Sequence, residues 1–503
     1  MRRLDFALLV CASAHAQVPL DWQASLNRIK ADSMRGHLSF LASDLLEGRD
    51  TPSPGLDIAG QYIAAQFLRA GLEPAGDDGF FQTSTWYMIR QESGATVTLE
   101  TGKTEFRVPV DTHVSRDVDG MGPAWKIPFG DAGGLDKLTA EDVEGRMVVL
   151  VSPDAATRLE ERQNQSRWLT QFRRAMQKLN PKLVILADPD GSIVPILVRG
   201  RPYAKPPETI TPPAGFEMAV LRDAEAVRIL RALPNGLNPG ALLAARLARP
   251  EVKPVKLRNV VGLLRGSDPT LRESYVMLNA HYDHIGKLPP GPGDRIFNGA
   301  NDDASGSVSV LEIASALASS PRRPRRSIVF AAFFGEEKGI LGARYYAQHP
   351  IFPLSKTVAS LSLEHIGRTD SSEGPNLNSA NLTGFDFSTV SSVMVAAGKE
   401  TGVRIWKHEK GSDQYYGASD NIALAEVGVP AHTLSVTYVF PDYHGLGDEW
   451  QKIDYANMEK VLRATALGLL MLADADAAPQ WNESNEKTER FRKAQKPQPA
   501  GSP

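Results

Sequence analysis

The chain has 503 residues, with 56 Lys+Arg against 59 Asp+Glu, 10 His and a single Cys. A formal net charge of −3 excludes a protein built to wrap nucleic acid, which needs a large basic excess or a concentrated basic face. One Cys excludes an intramolecular disulfide, a thiolate zinc site and an iron–sulfur cluster, so any metal must be held by His, Asp and Glu.

At about 150 residues per domain the length suggests roughly three units. The first residues, MRRLDFALLVCASAHAQ, order a basic pair, a short apolar stretch from Phe6 to Ala14 and an A-x-A pattern. This is the layout of a cleaved export leader ending after Ala16, and predicts a secreted or periplasmic protein. No later stretch approaches the ~18 uninterrupted apolar residues of a membrane span.

Two helices are predicted next, around Ser33–Leu46 and Leu56–Ala70, separated by EGRDTPSPG and closed by Gly71. Residues 90–250 change character. Val97–Leu99, Phe106–Val110, Met147–Val151 and Leu183–Leu186 read as strands, and a polar helix between Thr157 and Leu179 precedes the last of them. Another helix is predicted around Ala224–Leu233. From Asn259 onward apolar strands alternate with helices, the pattern of a doubly wound α/β sheet. The cluster PRRPRR at 321–326 bridges a helix and a strand without aromatic partners and is read as a solvated turn. Residues 481–503 are polar and, after Asn485, charged and Pro-rich, and are expected to be a mobile tail.

Five strand ends in the second half carry the chemistry. VMLNA runs into His281-Tyr282-Asp283-His284; NGANDDASG sets Asn301, Asp302 and Asp303 before a helix; SIVFAAFF delivers Glu336 and Glu337; VASLSLEHIG delivers Glu364; and PAHTLSVTYVFPDYHG leads to His444. In an open α/β sheet, ligands bind outside the carboxyl ends of the strands. Imidazoles and carboxylates without thiolates suit Zn²⁺ or a similar divalent ion. The surplus of carboxylates makes a two-metal site reasonable, with one carboxylate bridging both ions. Each piece alone also reads as a helix cap or surface charge; their convergence from five otherwise apolar strands favours the metal site. G-x-S-x-G, the Walker P-loop and H-E-x-x-H are all missing from the sequence.

The pieces AHYDHIG, NGANDDASG, RSIVFAAFFGEEKGILGARYY, LEHIG, ASDNIALAEVGVPAHTL and DYHGLGD resemble, in order and spacing, the di-zinc exopeptidases that include aminopeptidase Y, bacterial leucyl aminopeptidase and glutamate carboxypeptidase. The resemblance covers residues 35–85 and 255–475. It implies a doubly wound mixed sheet with helices on both faces, the phosphorylase/hydrolase-like zinc exopeptidase fold. The implied division is a leader (1–16), an N-terminal part of the peptidase domain (17–89), an inserted smaller α/β or mostly-β domain of protease-associated type (90–250), the main peptidase part (251–480) and the tail. VEGRMVVLV, NPKLVILAD and FEMAVLRDAEAVRILRAL stand where the inserted domain's strands and last helix would be.

Carried over by position, the resemblance implies two zinc ions bridged by Asp302. His281 and Glu364 would bind one, and Glu337 and His444 the other. Glu336 would be the general base and Tyr416 the oxyanion stabiliser, with Asp283 orienting His281 and Asp303 following a cis peptide. The relatives usually have Asp where this chain has Glu364, and many have His where it has Asn421. His284 and His365 are read as packing or supporting residues. The implied activity is aminopeptidase action on a peptide substrate; a single-zinc glutaminyl cyclase, a carboxypeptidase for acidic dipeptides and an inactive receptor-like module are the alternatives.

Overall fold

The computed structural model describes residues 18–91, 94–102, 104–153, 159–189, 202–205, 215–288, 290–371 and 374–495. The proposed leader lies outside the described residues. Two large sheets organise these residues, beside a two-stranded ribbon of Asp370–Ser371 and Gly374–Pro375. The larger has nine strands. Its centre is four parallel strands in the order Ser327–Phe333, Tyr275–His281, Thr357–Leu363 and Ala431–Ser435. Glu251–Leu264 pairs antiparallel on one side, and Ser379–Leu382 antiparallel on the other.

The central strands are apolar throughout because both faces are covered. Side chains alternate across a strand, so Val276, Leu278 and Ala280 enter one core while Tyr275 and Met277 enter another. The first core is closed by helices Ala31–Leu41, Pro54–Ala70, Ser305–Ala318 and Tyr455–Asp474. The second is closed by Leu341–Gln348, Asn421–Ala425 and the C-terminal Glu489–Ala494. The chain leaves strand 275–281 to build 327–333 on one side, then returns to build 357–363 on the other. That reversal places a crevice at the carboxyl ends of 275–281 and 357–363.

Seven strands between Thr96 and Leu247 close into a barrel. Met147, Val149 and Val151 point into it, whereas Val148 and Leu150 pack outward on Trp168, Phe172 and Met176 of helix Leu159–Leu179. The long antiparallel pairing of Phe81–Arg90 with Glu251–Val260 carries the chain out to the barrel and back.

Two expectations change. The first predicted helix ends at Leu41, not Leu46, because Asp44–Arg49 tightens into a 3₁₀ turn holding Glu47 and Gly48 at φ 48° and 71°. The C-terminal residues up to Gln495 are not a mobile tail. Trp481 stacks on Phe491 at 5.2 Å, its indole N–H donates to the carbonyl of Gly428 at 3.0 Å, and both rings are buried. Two aromatics separated by polar residues escaped a composition-based reading, yet they suffice to anchor the segment.

The same core contains His432, fully buried, hydrogen-bonded to the carbonyl of Thr383 and to the Ser388 hydroxyl. Burial lowers its pKa from 6.5 to about 4, partly opposed by the Thr383 carbonyl. Below pH 6.5 the unfolded chain takes up a proton that the folded ring refuses, so stability falls with pH down to about 4. The urea midpoint of wild type should therefore drop more steeply between pH 7 and 5 than that of His432→Gln; parallel slopes would contradict this.

Candidate metal centre

His281 ends its strand, and its Nε2 lies 3.4 Å from Asp302 Oδ1. Its Nδ1 faces Asp283, 3.5 Å from the carboxylate and 3.2 Å from the carbonyl. Asp283 also accepts from the Thr51 hydroxyl and the Glu336 amide, each at 3.1 Å. One buried carboxylate thus fixes an imidazole and the start of the Glu336-Glu337 segment together. The peptide bond between Asp302 and Asp303 is cis. The Asp303 carboxylate caps the following helix by accepting from the Gly306 amide at 3.0 Å.

Two donor groups share Asp302: His281 with Glu364, and His284 with Glu337. His444 joins the second, its Nε2 3.0 Å from Asp302 Oδ2 and 3.3 Å from Glu337 Oε1. The structure therefore brings together every sequence-derived ligand candidate, with Glu336 beside them, 4.0 Å from His281 Nε2.

His284 and His365, read from sequence as packing or support, stand inside the cluster. His284 Nδ1 is 2.9 Å from Glu337 Oε1. His365 Nε2 is 3.7 Å from Asp302 Oδ1 and 3.6 Å from Glu364 Oε1, while its Nδ1 is bonded to the carbonyl of Tyr438. The signal was present in HYDH and LEHIG, where each histidine lies one to three residues from a ligand candidate. Asp420 was also missed. Burial and the carboxylates of Asp283 and Glu364 push it up to about 7, against the pull of His281.

Tyr416 is a correction. Its hydroxyl donates to the carbonyl of Ala431 at 2.9 Å, and its ring packs on Phe387, His432 and Phe491. The tail segment that supplies Phe491 gives this ring an apolar home away from the cluster. Tyr443 is the phenol at the site instead, stacked on His444 at 4.0 Å and edge-on to His365 at 5.4 Å. Asn421 donates to the carbonyl of Tyr416 and accepts from the Thr433 hydroxyl, each at 2.9 Å.

Burial alone favours neutral carboxyl groups. It is overcome at Asp302, held well below the usual range by His281, His365 and His444, and at Glu337, lowered to about 2 by His284 and His444. It prevails at Asp303 and Glu336, both raised well above it. His281 is buried, yet Asp283 and Asp302 raise its pKa well above 6.5.

The donor atoms test whether a cation fits. His281 Nε2, both nitrogens of His284, His365 Nε2 and Glu337 Oε1 are buried without a hydrogen-bond partner. Their close approaches lack hydrogen-bond alignment: the atoms sit side by side, as ligands around a shared ion do. Unpaired buried donors of this kind are rare without such a function, and the imidazole–carboxylate set fits a divalent ion.

The fold and this cluster define a metallohydrolase-type α/β protein. Residues 259–468 match Peptidase family M28. A probable zinc metalloprotease of Leptosphaeria maculans is 45% identical over 95 residues, 19% of this chain and 21% of that protein. A probable glutamate carboxypeptidase of Zea mays is 32% identical over 134 residues, 26% of this chain and 17% of that protein. The chain thus spans about a fifth of the length of these curated relatives. Among solved structures, an aminopeptidase from Aneurinibacillus sp. strain AM-1 is similar at TM-score 0.55 and 19% identity, covering 91% of this chain and 97% of that one. A zinc aminopeptidase from Bacillus subtilis is similar at TM-score 0.57 and 16% identity, covering 89% and 96%. Both show the fold. Among the described residues no helix is long and apolar enough to cross a membrane.

Arg49 locks the surrounding loops. Fully buried, it donates to the carbonyls of Tyr282 at 2.9 Å, Asn298 at 2.8 Å and Gly299 at 2.9 Å, and to that of Leu41. Arg49→Met should cost about 3–5 kcal/mol of stability, since several buried acceptors lose their donor. An unchanged urea midpoint would refute this.

Proposed function

We propose that this chain is a secreted zinc-dependent aminopeptidase that removes N-terminal residues from peptides at a two-metal centre. The observation that carries the reading is the pair of donor groups sharing Asp302 beside Glu336. His281 and Glu364 would hold one zinc, Glu337 and His444 the other, and Asp302 both. When bound, the two ions would polarise the scissile carbonyl and make a water acidic.

The chain's own residues do the rest. Glu336 takes the proton of the attacking water and passes it to the leaving amine. Asp283 positions it through the backbone amide and orients His281. Tyr443 replaces Tyr416 as the hydroxyl that hydrogen-bonds the developing oxyanion. Asp303 secures the helix behind the bridging carboxylate.

An aminopeptidase is favoured over a carboxypeptidase by the distribution of charge. Among the described residues, three cations near the site are committed: Arg49 to backbone carbonyls, Lys338 to Asp50 at 2.8 Å, and Arg368 to Asp370 and Asp442. Carboxylates in excess of the ligand set, among them Asp420, suit a substrate bearing a free α-amine. The reading also takes residues 1–16 as an export leader and 90–250 as an inserted domain of protease-associated type.

Metal analysis should return two zinc ions per chain, and a panel of aminoacyl arylamides should be hydrolysed. Glu336→Gln should lower kcat by about 10²–10⁴-fold with zinc content unchanged. One zinc with cyclisation of N-terminal Gln, release of acidic C-terminal residues, or equal activity of the two proteins would each overturn the reading. Tyr443→Phe should lower kcat about 10²-fold with little change in KM; an unchanged kcat would remove the oxyanion role.

A further inference from the structure

His444 is the exposed donor of the cluster. Its side chain is 37% exposed, against 1–16% for His281, Asp302, Glu337 and Glu364. It lies well beyond the end of its strand, Ala431–Ser435, at φ 53°. A donor carried on a loop keeps its place only if other groups order that loop.

Asp442 supplies that order. Its carbonyl accepts from the Gly445 amide at 2.8 Å, closing the turn that carries His444. Its carboxylate accepts from Arg368 Nη1 at 2.9 Å and from Lys452 Nζ at 3.0 Å. The Arg368 side chain is buried, and each of its three nitrogens bonds a carboxylate: Nε and Nη2 reach the two oxygens of Asp370 at 2.7 and 2.6 Å. The guanidinium also lies 5.3 Å over the ring of Phe440, on the loop that leads to His444. The Arg368 amide donates to Asn301 Oδ1 at 2.9 Å, next to Asp302. Arg368 itself stands on the loop that leaves Glu364. One buried cation thus ties the His444 turn to the two segments that present Glu364 and Asp302.

We propose that Arg368 and Asp442 form a brace that positions His444, and that only the metal ion assigned to Glu337 and His444 depends on it. The inference rests on the two-metal reading and names what sets the affinity of one of its ions. Arginine suits the task because its planar fork can face two carboxylates at fixed angles, which a lysine ammonium cannot do. A partly buried pair of this kind is screened far less than an exposed one. Without the Asp442 charge the turn keeps its Gly445 hydrogen bond but loses its tie to the 364–370 loop. Ordering His444 then costs part of the binding free energy of the ion it holds. His281, which ends a central strand, and Glu364, whose loop is bonded to Asn301, keep their supports.

The test titrates the zinc-loaded full-length chain with a competing chelator and follows zinc release. Wild type should give up two ions in two steps, one of which His444→Ala loosens. Asp442→Asn and Arg368→Met should loosen that same step by about 10–100-fold and leave the other unchanged. Asp442→Asn added to His444→Ala should cause no further loss, because the brace acts through the histidine. Should Arg368→Met fail to fold, Asp442→Asn, which keeps the shape of the residue and its Gly445 bond, decides alone. Wild-type steps in Asp442→Asn, equal loosening of both steps, or a further loss in the double variant overturns the brace and leaves the two-metal reading standing. A single zinc in wild type refutes the two-metal reading; the brace then survives only if Asp442→Asn and His444→Ala loosen that ion alike.

Discussion

Carboxylates packed where water cannot screen them are the constraint on which this molecule depends. Asp302, Asp303, Glu336, Glu337, Glu364 and Asp420 converge at one end of the sheet, and most are buried. Two like charges 4 Å apart repel by about 4 kcal/mol even at an effective dielectric of about 20. Such a cluster persists only if protons, imidazoles or metal cations intervene. The protein supplies four histidines, His281, His284, His365 and His444, in contact with the carboxylates. A divalent cation held by these donors would complete the compensation and tie metal binding to the integrity of the surrounding loops.

Those loops are held from outside the cluster. Asp448 accepts from the amides of Asn301 and Asp302 at 2.9–3.0 Å and so fixes the backbone that presents the Asp302 carboxylate shared by both donor groups. Asn301 in turn accepts from the amides of Gly367 and Arg368, tying that backbone to the loop after Glu364. Gly48 lies against the 284–297 loop so closely that a Cβ there would meet the carbonyl oxygen of Gly286 at 2.2 Å. This contact lets Arg49 reach its carbonyls. The donor groups come from different strand ends, and these ties convert them into one rigid site.

The architecture was legible in the sequence because apolar strands buried on both faces, each ending in a ligand-type residue, leave few alternatives. His281, Asp302, Glu336, Glu337, Glu364 and His444 stood out because their spacing followed strand ends. The barrel's closure did not, since closure depends on pairings between strands such as 96–101 and 236–247 that are far apart in sequence. Tyr416 failed for a packing reason: position in a motif does not say which side of the chain an aromatic ring takes, and Phe491 and Trp481 complete an apolar niche for it from 65 or more residues away. Arg49 was not singled out from the sequence, because its partners are backbone carbonyls, which carry no sequence signature.

The same geometry explains how Glu364 can stand where a shorter acid is usual. His365 follows it at φ 53°, turning the chain so that neighbouring side chains both face Asp302. Glu336-Glu337 achieves a similar division, one carboxylate beside His281 and the next against His284 and His444. The longer arm of Glu364 lets its carboxylate reach the cluster from a strand end that also carries an imidazole. The His365 ring is in turn bonded to the backbone carbonyl of Tyr438 at 3.1 Å, which holds the imidazole beside Glu364.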